Sequence, residues 1–152
     1  MHPAVQDVAQ PHILVVEDDA LVAAMVCDAL TYAGFGVTAV ASAEDALGLA
    51  LMDPPFDALF TDIELAGSID GWELADTIRE MRPHLPVIYA SARPVDPLAC
   101  VPDSVFLSKP YSPLALCTLL RQLLTPPSCA ADIAPVATPA PRPERRPMLR
   151  LA

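Results

Sequence analysis

At 152 residues, 53% of them hydrophobic and with a mean hydropathy of +0.40, the chain can bury one sizeable core but hardly two. Its net charge of −10 is set ahead of residue 125, where seventeen of the nineteen acids lie while four of the nine basic residues follow, and so acidic a body would repel a nucleic-acid backbone. The N-terminus has neither the basic start nor the apolar stretch of a signal peptide, and no later run could span a bilayer, so a cytoplasmic protein without membrane insertion is expected.

Residues 1–10 are read as a disordered N-terminal segment. A β-type run from Ile13 to Val16 then leads into a helix from Ala20 to Ala33, whose stripe of Val22, Met25, Val26, Ala29 and Leu30 faces inward and whose C′ position falls on Gly34. Val37 to Val40 form the second strand. Ser42-Ala43-Glu44-Asp45 looks like a capping box and opens a second helix, turning Ala43, Ala46, Leu47, Ala50 and Leu51 inward. Ala58 to Thr61 make the third strand; the third helix, from about Trp72 to Arg82, presents Leu74, Ile78 and Met81 to the sheet and stops before Pro83. After a fourth strand, Val87 to Ala90, the next helical slot holds Pro94, Pro97 and Pro102, which leaves room for a turn or two around Leu98 to Val101. A fifth strand, Val105 to Leu107, precedes a last helix with Ser112 as N-cap and Pro113 at N1, burying Leu116, Leu119, Leu120, Leu123 and Leu124. This alternation predicts an α/β fold with a doubly wound, five-stranded parallel sheet covered on both faces. Residues 125–152 turn Pro/Ala/Arg-rich and lose periodicity, as a disordered or polyproline-like tail does. Cys27, Cys100, Cys117 and Cys129 show no metal-ligand spacing and read as reduced fillers, three of them on apolar helix faces.

Charge follows directly on three of the strands: Glu17-Asp18-Asp19 after the first, Asp62 after the third, Lys109 after the fifth. The carboxyl ends of parallel strands open on one edge, so these groups should converge there. A hard cation such as Mg²⁺ takes oxygen ligands and keeps several waters. Asp18 is the expected direct ligand, Glu17 holds a metal-bound water, and Asp19 serves as the N-cap of the first helix. If the first and third strands are neighbours, as in the usual order, Asp62 reaches the same cation, and a carboxylate so placed can attack phosphorus and form an aspartyl phosphate. Lys109 would pair with the carboxylates at rest and with the phosphoryl group afterward. Ser91, ending the fourth strand, offers a hydroxyl to a phosphoryl oxygen.

The set Glu17-Asp18, Asp62, Ser91 and Lys109-Pro110, in this order and near these spacings, resembles the receiver domain of two-component response regulators over residues 11 to 124. The resemblance implies the flavodoxin-like strand order 2-1-3-4-5 with a shortened fourth helix. It implies that Asp62 accepts phosphate from a sensor histidine kinase or histidine phosphotransfer protein. It further implies that Glu17, Asp18, Asp62 and the backbone carbonyl of Glu64 hold Mg²⁺, with Mn²⁺ as a substitute. Ser91 would be the switch hydroxyl, Lys109 the partner of the phosphoryl group, and Phe106 an aromatic whose rotamer follows Ser91; Glu64 and Arg93 fall where receivers tune phosphate lifetime. Such a chain is no enzyme beyond its own phosphorylation and dephosphorylation. Its output would pass through a phosphorylation-dependent surface around Ser91, Phe106 and Tyr111 to an unknown downstream protein, or it would act as a phosphate relay or sink. The Pro86-Val87-Ile88-Tyr89-Ala90-Ser91 strand is similar to that of a subgroup of stand-alone receivers, and no DNA-binding domain is expected after residue 124.

Two departures from the family pattern stand out. Asp62-Ile63-Glu64-Leu65-Ala66-Gly67-Ser68-Ile69-Asp70-Gly71 lacks the proline usual after the acceptor and looks one residue longer, which predicts a more mobile loop. The short, proline-laden stretch from Ser91 to Lys109 puts a dimer through the fourth helix in question. A phosphohydrolase of the haloacid dehalogenase type is the competing reading, since Asp62-Ile63-Glu64 imitates its Asp-x-Asp pair, but in the wrong strand and with no cap insertion.

Overall fold

The computed structural model describes residues 10–51 and 56–124; the expectations for residues 1–9 and 125–152, and for Cys129, lie outside them. The elements run β1 (His12–Val16), α1 (Ala20–Tyr32), β2 (Gly36–Val40), α2 (Ala43–Leu51), β3 (Ala58–Asp62), α3 (Gly71–Met81), β4 (Val87–Ser91), a 3₁₀ turn (Pro97–Ala99), β5 (Val105–Ser108) and α4 (Pro113–Leu124). The strands are all parallel and stand in the order β2-β1-β3-β4-β5.

Strand alternation sorts the apolar side chains into two layers. Leu14, Val16, Leu59, Val87 and Tyr89 point toward α2 and α3, where Ala43, Ala46, Leu74, Ala75 and Ile78 meet them. Ile13, Val15, Phe60, Ile88 and Ala90 point the other way, onto Val26 and Leu30 of α1 and Leu116, Cys117 and Leu120 of α4. Both layers are closed to water, as a parallel sheet requires.

The local signals act as their chemistry dictates. Asp19 caps α1, accepting from the Leu21 and Val22 amides at 2.9 and 3.2 Å. Its far end closes in a Schellman pattern, with the Gly34 amide on Thr31 O and the Phe35 amide on Leu30 O. Ser42 Oγ accepts from the Asp45 amide at 3.2 Å, and Ser112 Oγ accepts from the Leu114 amide at 3.2 Å.

Several side chains depart from the stripes read in the sequence. Met25 is 54% exposed, Leu51 77% and Met81 40%. Leu51 and Met81 are the last residues of their helices, beyond the sheet they would cover, and Met25 lies on the flank of α1 that faces the β5–α4 loop. The third helix begins one residue earlier than expected, at Gly71, capped by Asp70 through the Glu73 amide at 2.9 Å. Gly71 is needed there: a Cβ would stand 2.2 Å from the Asp62 carbonyl oxygen, so only glycine lets α3 start flush against the end of β3.

The crossover from β4 to β5 shrinks to the single 3₁₀ turn that its prolines allow. Val101, 3% exposed, plugs the space under it, and its amide donates to the Tyr89 hydroxyl at 3.2 Å. Cys100 therefore sits past a turn rather than on a helix face, while Cys27 and Cys117 carry free thiols. Among the described residues no helix is long and apolar enough to cross a membrane.

Candidate functional site

Register decides what meets at the carboxyl edge. Val16 lies beside Thr61, Asp62 beside Ala90, and Ser91 beside Ser108. The next residues out, Glu17, Asp62, Ser91 and Lys109, thus stand along one rim. Glu17 and Asp62 are buried, 3% and 6% exposed, whereas Asp18 is exposed at the mouth. One carboxylate oxygen from each of the three lies within 4.8 Å of the others.

Each acid accepts a backbone hydrogen bond. Glu17 Oε1 accepts from the Asp19 amide at 3.1 Å, and Asp18 Oδ2 accepts from the Ala66 amide at 3.2 Å. Asp62 Oδ1 accepts from the Glu64 amide at 3.3 Å, while its Oδ2 takes a hydrogen bond from Lys109 Nζ at 2.9 Å. Lys109 Nζ also stands 3.5 Å from Glu17 Oε2. That oxygen is buried and makes no hydrogen bond, so the ammonium reaches it by charge alone. The lysine follows directly on β5, and its amide donates to Ser91 O at 2.8 Å.

Ser91 is buried with its Oγ accepting from the Arg93 amide at 3.0 Å, which leaves its own proton free to donate. Glu64 and Arg93, expected where receivers tune phosphate lifetime, form an exposed ion pair at 3.0 Å. Being solvated, it contributes little to stability. Phe106 lies beside Tyr89 in register and packs, half-buried, against the layer that holds Val101.

Electrostatics follow from this crowding. Burial raises the Glu17 carboxyl above its ordinary value and the Asp62 charge raises it further, against the Asp19 amide and Lys109. Burial works against the Lys109 ammonium, but its hydrogen bond to Asp62 and the two carboxylate charges win and raise it. Three hard oxygen ligands, one of them a buried carboxylate oxygen without a hydrogen bond, fit a divalent cation that keeps some of its waters.

Nothing in the residues around Tyr111 announces its state. Its ring packs edge-on to Phe60 at 5.7 Å, and its hydroxyl is buried without a partner. Burial, then the Glu17 charge, pushes the phenol up to about 12. The folded state thus favours the neutral phenol: this stability is fully present below the ordinary value of 10 and is lost as pH climbs from there through about 12. Tyr111→Phe is expected to raise stability at pH 8 by about 1 kcal/mol, by removing an unsatisfied hydroxyl. It should also shrink the fall in thermal midpoint between pH 10 and 12 to the part due to Lys109. A destabilised variant with an unchanged alkaline limb would refute the assignment.

A family model for the response regulator receiver domain matches residues 13–121. The circadian input-output histidine kinase CikA of Synechococcus elongatus is 31% identical over 135 residues, covering 82% of this chain and 17% of that protein. The transcriptional regulatory protein TcrA of Mycobacterium tuberculosis is 35% identical over 115 residues, covering 73% of this chain and 45% of that protein. The chain therefore spans less than half the length of these curated relatives. Among solved structures, a response regulator receiver protein from Sinorhizobium medicae superposes with a TM-score of 0.70 at 34% identity, over 76% of this chain and 94% of the other. The chemotaxis protein CheY4 of Vibrio cholerae shares the fold, with a TM-score of 0.69 at 24% identity over 76% of this chain and all of the other. The family match runs from within β1 to within α4 and so takes in the whole sheet edge with its acids, hydroxyl and lysine; the chain belongs to the family of response regulator receiver domains, the signalling modules of two-component systems.

Proposed function

We propose that residues 11–124 form a cytoplasmic receiver unit in which Asp62 accepts a phosphoryl group from a phosphohistidine on a sensor histidine kinase or phosphotransfer protein. The observation that carries this reading is the joint hold on Asp62: Lys109 Nζ at 2.9 Å on one side, and the Glu17 and Asp18 carboxylates within 4.8 Å on the other. In the transfer an Asp62 oxygen bonds to phosphorus as the phosphorus–nitrogen bond breaks, and the departing electron pair returns to the imidazole. Glu17, Asp18, Asp62 and the Glu64 carbonyl would hold Mg²⁺ or Mn²⁺, which when bound neutralises charge on the phosphoryl oxygens. Lys109 then follows the phosphoryl group, the free Ser91 proton donates to it, and Phe106 takes up the space Ser91 leaves. That rearrangement is the signal read by a downstream protein. Glu64 and Arg93, paired over the mouth, gate the water that hydrolyses the acyl phosphate.

The same pairing weighs against a hydrolase of the dehalogenase type, because Glu64 is turned outward to Arg93 instead of serving as an acid beside Asp62. The test is uptake of a hydroxylamine-labile phosphoryl group from acetyl phosphate or a kinase, complete in Mg²⁺ and absent in EDTA. Equal uptake in both would overturn the metal assignment.

Access for the donor is provided by a groove of about 380 Å³ between Val22, Met25 and Val26 of α1 and Pro110, Tyr111 and Pro113. It is continuous with Lys109 and Ala92 at the site, and Met25, half exposed, is part of its wall. A helix carrying the phosphohistidine fits this apolar rim, so Met25→Glu is expected to lower transfer from such a partner about tenfold relative to transfer from acetyl phosphate. An unchanged ratio would remove the groove from the donor path.

A further inference from the structure

The loop of residues 63–70 lacks the proline common in the family, and hydrogen bonds tie it at several points. The Glu64 amide donates to Asp62 and the Ala66 amide to Asp18. Two residues on, both the amide and the hydroxyl of Ser68 donate to Glu44 Oε1, at 3.2 and 3.0 Å. Between them Gly67 takes φ +115, and a Cβ there would lie 3.2 Å from both Glu44 oxygens. Glu44 stands in the first turn of α2, where a helix N-terminus favours an anion. Asp70 then closes the loop by capping α3.

We infer that Glu44 is a positioning residue for the metal pocket: by gripping Ser68 it fixes the Ala66 amide, and through it the exposed carboxylate of Asp18. This rests on the reading of Glu17, Asp18 and Asp62 as a divalent-cation site. Without the grip, a loop holding Gly67 samples many conformations, and the entropy of ordering it subtracts from cation affinity. The side chain that ties the loop comes from a different βα unit, with no contact to the cation itself. It is therefore a role that neither the acidic set nor Glu44's place in a capping box announces.

The test titrates Mg²⁺ into the full chain, following the fluorescence of Trp72, which sits beside Gly71 at the start of α3. Loss of two hydrogen bonds to one oxygen, felt indirectly, should raise the midpoint for Glu44→Ala roughly fivefold. Amide exchange at both Ser68 and Ala66 should speed up, with the thermal midpoint nearly unchanged. Glu44→Gln keeps an acceptor oxygen without the charge and should restore most of both. Wild-type affinity and Ala66 exchange in Glu44→Ala overturn the inference while leaving the metal site standing, and so does a Gln variant as weak as the Ala variant, which would mark a distant charge effect. A wild-type chain that does not respond to Mg²⁺ overturns the metal-site reading and this role with it.

Discussion

Asp62→Asn is expected to abolish phosphoryl uptake while leaving the fold in place. Asparagine matches the shape of the side chain and keeps an oxygen that can accept from Lys109 Nζ, now 2.9 Å from Asp62 Oδ2. It has no anionic oxygen with which to attack phosphorus. The change also takes one of three carboxylates from the cation pocket. In water-like surroundings a carboxylate and a divalent cation about 4 Å apart attract by about 2 kcal/mol, so Mg²⁺ should bind roughly thirtyfold more weakly. Stability should change little or rise, because the buried Glu17 loses a like charge that raises its carboxyl. Acid-stable labelling with acetyl phosphate, checked for hydroxylamine release, decides the matter: label retained by the Asn variant would place the acceptor elsewhere.

The rim was legible in the sequence because of a geometric necessity. Parallel strands open their carboxyl ends on one edge, and an acid or lysine set directly after an apolar run marks such an end. Glu17, Asp62 and Lys109 follow that rule, Ser91 is placed by ending the fourth strand, and register then puts the four side by side. What stayed hidden depends on the paths of loops. Glu44 and Ser68 are 24 residues apart in different βα units, and nothing in either local pattern pairs them. The proline missing from the β3–α3 loop is visible in the sequence, but the ties that reach that loop from Asp18 and Glu44 are not. Helical period likewise gives the direction of an apolar stripe but not how far the sheet extends beneath it, which is why Leu51 and Met81 at helix ends lie exposed.

Lys109→Ala should separate the two duties of the lysine, with opposite signs for cation binding and phosphoryl uptake. At rest the ammonium neutralises Asp62 at 2.9 Å and Glu17 at 3.5 Å. Its removal leaves two buried carboxylates without a cation and should cost about 1 to 2 kcal/mol, less than the about 3 to 5 kcal/mol of a fully buried pair because the lysine is partly solvated. The loss depends on pH in a defined direction. Glu17 already has its carboxyl raised by burial, and without the Lys109 charge it rises further, so protonation relieves the variant more than the wild type. The stability gap should therefore narrow as pH falls from 7 into the ordinary carboxylate range. At the alkaline end the wild type should lose the lysine's contribution as pH rises through its raised value, while the variant, lacking the group, does not. Because Lys109 competes with a divalent cation for the same oxygens, Mg²⁺ should bind the variant several-fold more tightly. Uptake from acetyl phosphate should nevertheless slow by about tenfold to a hundredfold, the worth of one charge-assisted hydrogen bond to the transferring group. Tighter Mg²⁺ with slower uptake is a pair of results that a merely unfolded or loosened variant does not give. Weaker Mg²⁺ binding together with a normal rate would deny Lys109 both duties.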